Sequence, residues 1–464
     1  MTHKKKIHFE ISERKILLRI FDVLFVLLAL HVIGKGFGLI YLTASATTLY
    51  YAFVLALYIN SMGTIFEMYN LQVASNKFQV LKSILLTAST TVLLYLLTPI
   101  FSAVLPSNRL QILVFYLTLF FALLLWRISY VLFLASNRFV QKGVLVCDTD
   151  QIEGLIEGLE EIDPHYKIIG YVNADNLQLQ FEDFHKVKNI KGLNLISFVK
   201  DNGISEIVIA DQNIKEITPE LYRQLLMLLE SGTTIREYTK VYEERAQRIP
   251  VQFISRDFYR FFPFNRNNNN QIYLFSTRMI NIIIAMVGLG IGLLLIPFIL
   301  FGNVFGNRGS LFYSQERVGK NGKVFRIYKF RTMIQDAEAQ GAVFSTAKDS
   351  RVTVFGKFLR KARIDEFPQF INILKGDMGL IGPRPERPVF VKEIAEMMPF
   401  YETRHVIKPG LTGWAQVNYS YGESLDDSLI KLQYDLFYIK HRSVFLDLNI
   451  ALKTLTTVLF YRGQ

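Results

Sequence analysis

Two adjacent carboxylates, Asp365 and Glu366, stand inside a basic stretch that runs from Asp349 to Arg387, DSRVTVFGKFLRKARIDEFPQFINILKGDMGLIGPRPER. A carboxylate attacking phosphorus makes an acyl phosphate. That step needs an ionised nucleophile, a metal to neutralise phosphate oxygens, and cations where charge develops. Asp365 and Glu366 meet the first two needs, as nucleophile and as metal ligands. Lys329, Arg331, Arg360, Arg384 and Arg387 are the candidate cations. Arg384, stiffened between Pro383 and Pro385, is the best placed to clamp a phosphate with two parallel donors. Residues 367–374 can start a helix with Pro368 in its first turn, which would set both carboxylates at the positive end of a helix dipole. An ordinary acidic N-cap is the alternative for Asp-Glu before proline.

The elements that must position these residues are partly membranous. A chain of 464 residues exceeds one core, so several domains are expected. The mean hydropathy of +0.25 points to a membrane protein. A net charge of +12 suits nucleic acid, anionic lipid or a phosphorylated substrate. Because the basic residues cluster beside apolar segments, lipid phosphate is favoured and no nucleic-acid partner is expected. With Cys147 as the single cysteine, an intrachain disulfide and a cysteine zinc site are both excluded.

Four apolar segments, residues 16–33, 46–62, 80–105 and 110–135, precede any soluble pattern. The second is about as short as a ~30 Å hydrocarbon core allows. Lys4, Lys5, Lys6, Arg14 and Lys15 precede the first segment, and Arg138 and Lys142 follow the fourth, which places both ends in the cytoplasm. Arg127, inside the fourth segment, calls for a partner within the bundle. From Gly143 the β-rich runs GVLVCD, KIIGYV, EIVIAD and TTIREY alternate with helical ones, which predicts a parallel, doubly wound sheet. The turn after its first strand, from Cys147 to Ile152, lacks the glycines that cradle a dinucleotide. Asp148-Thr149-Asp150 could hold a metal and a sugar nucleotide as in glycosyltransferases, or close a strand end with a turn or cap.

The predicted domains are a bundle at 1–137, a Rossmann-like domain at 138–240, a linker at 241–277 and a C-terminal domain at 278–464. Residues 279–301 are apolar enough to cross a bilayer, yet cations flank both ends, and Pro297 favours a kink. We therefore expect a re-entrant helix, broken at Pro297, that returns to its own face. Further on, 325–333 reads as a strand with Lys329 and Arg331 on one face, and 336–340 as a short helix. Residues 355–363 read as a helix with Lys357, Arg360 and Lys361 above Phe355, Phe358 and Leu359. Residues 445–461 read as an amphipathic helix lying on protein or membrane.

Several motifs from Arg278 onward resemble the polyprenyl-phosphate phosphoglycosyl transferases, bacterial sugar transferases that begin exopolysaccharide, capsule or O-antigen assembly. They are Lys329-Phe330-Arg331-Thr332-Met333, Arg360 to Gln369 with the carboxylate pair, Gly376-Asp377-Met378, Gly382-Pro383-Arg384-Pro385, and Lys408 to Asn418. The whole length is similar to large members that transfer a hexose 1-phosphate. The resemblance implies membrane α plus α/β architecture: a four-helix transmembrane bundle, a degenerate Rossmann-like domain, and an α/β catalytic domain with a re-entrant helix and interfacial helices. It implies that Asp365, with Mg²⁺ (or Mn²⁺) bound, displaces UMP from a UDP-sugar, and that undecaprenyl phosphate then takes the phosphosugar. Glu366 would assist the metal, Lys329, Arg360 and Arg384 would line the phosphate pocket, and Gln416 and Asn418 would also contact substrate. The implied setting is the bacterial inner membrane, with membrane lipid as partner, the catalytic domain on the cytoplasmic face, and a homodimer through the middle domain as an option. The chain departs from many relatives at Arg363-Ile364 and Phe367 around the pair, and at Ile296, where a serine commonly precedes the proline. The competing readings are a glycosyltransferase using Asp148 and Asp150, with UDP as product, and a non-catalytic scaffold of a polysaccharide machine.

Overall fold

The computed structural model describes residues 11–38, 49–69, 77–103, 108–133, 141–147, 152–160, 166–173, 187–190, 195–210, 217–251, 270–307, 309–335, 337, 349–398, 400–419 and 425–459. The chain divides into two compact units after Ala246. Asp148, Thr149 and Asp150, most of the polar run before Asn270, and all of the expected helix at 336–340 except Ala337 lie outside the described residues.

The first unit opens with four apolar helices, α1 (Ile11–Gly36), α2 (Leu49–Ile65), α3 (Lys77–Leu97) and α4 (Arg109–Phe133). Three of them contain spans long and apolar enough to cross a membrane, and α2, with 17 residues, is shorter. Their shared core includes Leu18, Val26, Ile59, Ile84, Leu119 and Leu123. The outward side chains Leu24, Leu28, Leu93 and Phe121 are apolar as well, a surface suited to hydrocarbon rather than water. Arg127 is partnered within the bundle as expected: its Nη2 donates to Asp22 Oδ2 at 2.6 Å, with both side chains buried.

The same unit continues with five parallel strands, β1 (Gln141–Cys147), β2 (Tyr166–Asn173), β3 (Lys188–Asn189), β4 (Glu206–Ile209) and β5 (Thr234–Glu237), in the order β3-β2-β1-β4-β5. That is the order of a doubly wound nucleotide-binding sheet. Helices α5 (Ile152–Glu160), α6 (Leu195–Asn202), α7 (Pro219–Glu230) and α8 (Tyr238–Ala246) complete it. The two-residue β3 left no periodic signal in the sequence. Part of the expected linker is structured: 241–246 belongs to α8, while Ile249 and Val251 are buried in the core of the second unit.

The second unit is built along α9 (Gln271–Gly306), a helix of 36 residues. The predicted segment 279–301 is extended at both ends, and the expected break is absent: the helix runs through Pro297 and on to Gly306. A proline removes one N–H from the helix ladder. Here Leu295, Ile296 and Ile299 around it pack into a cluster with Phe330, Leu359 and Phe367, which holds the helix across that position.

A hairpin of β6 (Phe312–Val318) and β7 (Val324–Phe330) follows, then α10 (Val354–Lys361) and α11 (Gln369–Lys375). Next come β8 (Gly379–Ile381), α12 (Pro388–Met397), β9 (Gly410–Thr412), which pairs parallel with β8, and the helices α13 (Trp414–Asn418), α14 (Leu425–His441) and α15 (Val444–Leu459). Trp414, Leu432, Leu436, Tyr438 and Ile450 form the core of the last part. α15 covers the expected helix, with Ile450 buried, but its exposed side carries Phe445, Leu448 and Leu455 and is apolar rather than polar.

α9 is tied to this unit at both ends and between them. Arg278 donates to the carbonyls of Ile373 and Leu374 at 2.6 and 2.7 Å. Phe370 lies against Gly288, Phe367 against Gly292, and Phe355 against Gly302 and Gly306. At the far end Asn303 donates to the Gly309 carbonyl and Asn307 to that of Arg331.

Candidate active site

Local sequence sets the entry to the carboxylate pair. Thr353 caps α10 by accepting the Gly356 N–H at 2.8 Å, which satisfies one of the donors a helix start leaves open. Past Ala362, Arg363 takes a left-handed conformation, φ 55°, at a cost of roughly 1–2 kcal/mol for a residue with a Cβ. It turns the chain into a 3₁₀ turn, Ile364–Glu366, and Pro368 then leads into α11. The dyad therefore lies just before the N-terminus of α11, as expected, while Pro368 stands at the N-cap rather than in the first turn.

Asn372, fully buried on α11, fixes this turn against β7. Its Oδ1 accepts the Tyr328 N–H at 3.2 Å, and its Nδ2 donates to the Arg326 carbonyl at 2.7 Å. One carboxamide thus satisfies a donor and an acceptor on one strand edge. Lys329, the next residue on that strand, is thereby brought to the dyad.

Both carboxylates are buried, but their environments differ. Glu366 Oε1 meets Arg384 Nη2 at 3.0 Å and Lys329 Nζ at 3.5 Å, and Oε2 meets Arg363 Nη1 at 3.5 Å. Burial alone would raise its pKa; the three cations outweigh that and hold Glu366 well below the usual carboxylate range. Asp365 goes the other way. Burial first, and the Glu366 charge second, push it up to about 6 against the pull of Lys329, Arg360 and Arg363. Its Oδ1 is buried with no hydrogen-bond partner among the described residues. An unpaired buried carboxylate oxygen costs free energy, and here it belongs to the residue the chemistry needs as nucleophile. Lys329 is pulled below its ordinary value by burial, with Glu366 opposing.

Arg384 is held from behind. Arg404 donates to the Arg384 carbonyl at 2.9 Å and to Asp435 on α14 at 2.6 Å, in a buried pair. The loop carrying Arg384 also lies backbone to backbone on β9, where a Cβ at Gly410 would stand 2.1 Å from the Gly382 nitrogen. Gly410→Ala must therefore push the loop away. We expect it to destabilise the protein by about 3 kcal/mol, the scale of overpacking, and to lower turnover with it; thermal unfolding in detergent beside an activity assay checks both.

The predicted residues sort as follows. Lys329, Arg360 and Arg384 join the dyad, Arg360 through its charge on Asp365 and a 2.9 Å bond from its Nε to Thr332. Arg331 does not: β7 ends at Phe330, so the alternation that put Arg331 beside Lys329 stops, and its guanidinium bonds Ser310 instead. Arg387 stands before α12 with its guanidinium over the Phe390 ring. Asn418 bonds the Trp414 carbonyl and Lys453, which locks α13 to α15, and the Oε1 of Gln416 is buried beside Gly413 without a hydrogen-bond partner among the described residues. Arg363 was missed as a ligand of Glu366, although its i,i+3 spacing was a usable signal. Asn372 and Arg404 gave none, because their partners are far away in sequence.

A divalent ion fits this donor set through one residue. Glu366 has both oxygens engaged by cations, so the expectation that it ligates a metal is not supported, whereas the orphaned Asp365 oxygen suits a hard cation that takes its other ligands from phosphate and water. Among the described residues no group of three or more His, Cys, Asp or Glu side chains converges on a metal position.

Comparison with known proteins picks out the same region. Residues 272–461 match the family model described as bacterial sugar transferase. The chain is 46% identical over 191 residues to the UDP-N-acetylgalactosamine-undecaprenyl-phosphate N-acetylgalactosaminephosphotransferase of Aeromonas hydrophila, covering 40% of this chain and 44% of that protein. It is 38% identical over 148 residues to the UDP-glucose:undecaprenyl-phosphate glucose-1-phosphate transferase of Escherichia coli (strain K12), covering 32% of each. An uncharacterized sugar transferase of Bacillus subtilis (strain 168), EpsL, is 39% identical over 157 residues, which cover 33% of this chain and 72% of that protein. The match thus spans less than half of the Aeromonas and Escherichia proteins.

Proposed function

The chain belongs to the bacterial sugar transferase family, and from that premise we propose that it moves a sugar 1-phosphate from a UDP-hexose to undecaprenyl phosphate. The observation that carries this reading is the asymmetry of the dyad: Glu366 is neutralised by three cations, while Asp365 keeps a buried oxygen with no hydrogen-bond partner among the described residues. An Asp365 oxygen attacks the sugar-linked phosphorus, the bond from that phosphorus to the UMP oxygen breaks, and UMP leaves. A phosphosugar remains on the aspartate as an acyl phosphate. An oxygen of undecaprenyl phosphate then attacks the same phosphorus, and the Asp365 carboxylate departs unchanged.

Arg384 and Lys329 stabilise charge on the diphosphate oxygens, and Glu366 holds those cations in place. Arg384 remains more than a third exposed, so it can meet a soluble donor. A divalent ion at Asp365 would neutralise phosphate charge as the nucleophile approaches.

The placement we propose is the cytoplasmic face of a bacterial inner membrane, with the unbroken α9 lying at that face rather than crossing the bilayer. Both ends of α9 bond to one polar unit; a helix crossing the bilayer would carry that unit into the hydrocarbon, where its charged groups have no solvent. The relatives' named sugars differ, N-acetylgalactosamine in one and glucose in another, so the shared chemistry is the phosphotransfer. Membranes containing the protein, given a panel of UDP-sugars and undecaprenyl phosphate, should release UMP with at least one of them. UDP as the sole nucleotide product would overturn the proposal.

A further inference from the structure

At the opposite end of α11 from the dyad lies a second group of cations that the transfer chemistry does not use. Gly376 ends α11 with φ +89°, a left-handed C-cap that glycine adopts without cost. The space where its side chain would stand is faced by two cations: a Cβ there would lie 3.4 Å from Lys408 Nζ and 3.6 Å from Arg278 Nη2. Lys320 bears on the same lysine. Burial first, then the charges of Arg278 and Lys320, pull Lys408 below its ordinary value, and Asp377 is the single carboxylate acting against them.

Three cations around one carboxylate leave excess positive charge. Among the described residues, neither Lys408 nor Lys320 has a carboxylate within ion-pair distance. Arg278 spends two nitrogens on the carbonyls of Ile373 and Leu374, favourable partners at a helix C-terminus. The Lys408 and Lys320 charges have no comparable employment.

The surroundings say what kind of anion would reach them. Arg278 sits on α9, two turns past Ile272 and one past Phe275, both exposed and apolar. Tyr273 of α9 donates to Asp447 of α15 at 2.5 Å, and α15 shows exposed Phe445 and Leu448. An exposed cationic patch, Lys320 and Lys408, beside two apolar, outward-facing helices matches a lipid whose acyl chains meet the helices and whose phosphate meets the cations.

We propose that Lys408, Lys320 and Arg278 form a lipid-phosphate site, separate from the Asp365–Glu366 centre, that takes the phosphate headgroup of a membrane lipid. The phosphate oxygens accept from the two ammonium groups, and Gly376 presents no side chain between them and Lys408. Both a bulk anionic phospholipid and a polyprenyl phosphate present that chemistry. The inference stands whether or not Asp365 transfers phosphosugar, because its readout is binding.

The test uses the full chain in detergent, titrated separately with phosphatidylglycerol, undecaprenyl phosphate and inorganic phosphate and read by native mass spectrometry. Lys408→Ala and Lys320→Ala should each weaken lipid retention about fivefold, the scale of one basic residue at an anionic headgroup, and Lys408→Arg should restore it. Arg278 is left intact because it also caps α11. Weakening in the phosphatidylglycerol arm supports a bulk phospholipid, and weakening confined to the undecaprenyl phosphate arm supports a polyprenyl headgroup. Unchanged retention of both lipids overturns the proposal, and so does an effect on inorganic phosphate alone.

Discussion

Asp365→Asn should release UMP from a UDP-sugar at least about 10³-fold more slowly than the parent protein while remaining folded, since loss of a covalent nucleophile removes the route and not one contact. Asparagine keeps the size of aspartate, so the turn between Arg363 and Pro368 has no steric reason to change. The charge it removes is an unfavourable one, buried beside Glu366. The variant should therefore melt at or above the temperature of the parent, the usual direction when a strained functional group is made neutral. Loss of activity together with loss of the melting transition would mean that Asp365 is a structural residue. Glu366→Gln has the opposite signature. It leaves Arg384, Lys329 and Arg363 around a neutral group, so stability should fall as well as turnover.

The second large effect is on pH. Asp365 must be ionised to attack, and its pKa is pushed up to about 6, by burial first and Glu366 second. A raised carboxylate pKa means that the ionised fraction is nearly complete above pH 7 and falls about tenfold per unit below pH 6. The rate of UMP release should follow, with an acid limb near pH 6 rather than near 4. Glu366→Gln removes one of the two causes and leaves the cations, so the limb of the residual activity should move toward lower pH. A profile whose acid limb is identical in the two proteins would contradict the assignment of Asp365 as the titrating nucleophile.

The dyad was legible in the sequence because adjacent carboxylates among Lys329, Arg360 and Arg384 form an unusual local chemistry, and all five residues do converge. The apolar helices were legible for an equally local reason, the length of their hydrophobic runs. What lay beyond the sequence depends on long-range contacts or on single backbone angles. α9 extends past its apolar stretch because Asn270 caps its start, Asn303 bonds the Gly309 carbonyl beyond its end, and Asn307 bonds the distant Arg331 carbonyl. Its passage through Pro297 depends on packing against Phe330 and Leu359. Arg331 and Arg363 exchanged roles for two small reasons: the strand expected to reach Met333 ended at Phe330, and one residue took a positive φ. Asn372 joins segments more than forty residues apart, which no periodicity reports.

The measurement that bears most directly on the central claim is intact-protein and peptide mass spectrometry after incubation with a UDP-sugar and no lipid acceptor. A mass increase of one sugar phosphate is expected on the peptide carrying Asp365, with its loss on addition of undecaprenyl phosphate and its absence from Asp365→Asn. Turnover to undecaprenyl-diphospho-sugar with no adduct on that peptide at any time, or an adduct that persists in Asp365→Asn, would contradict it.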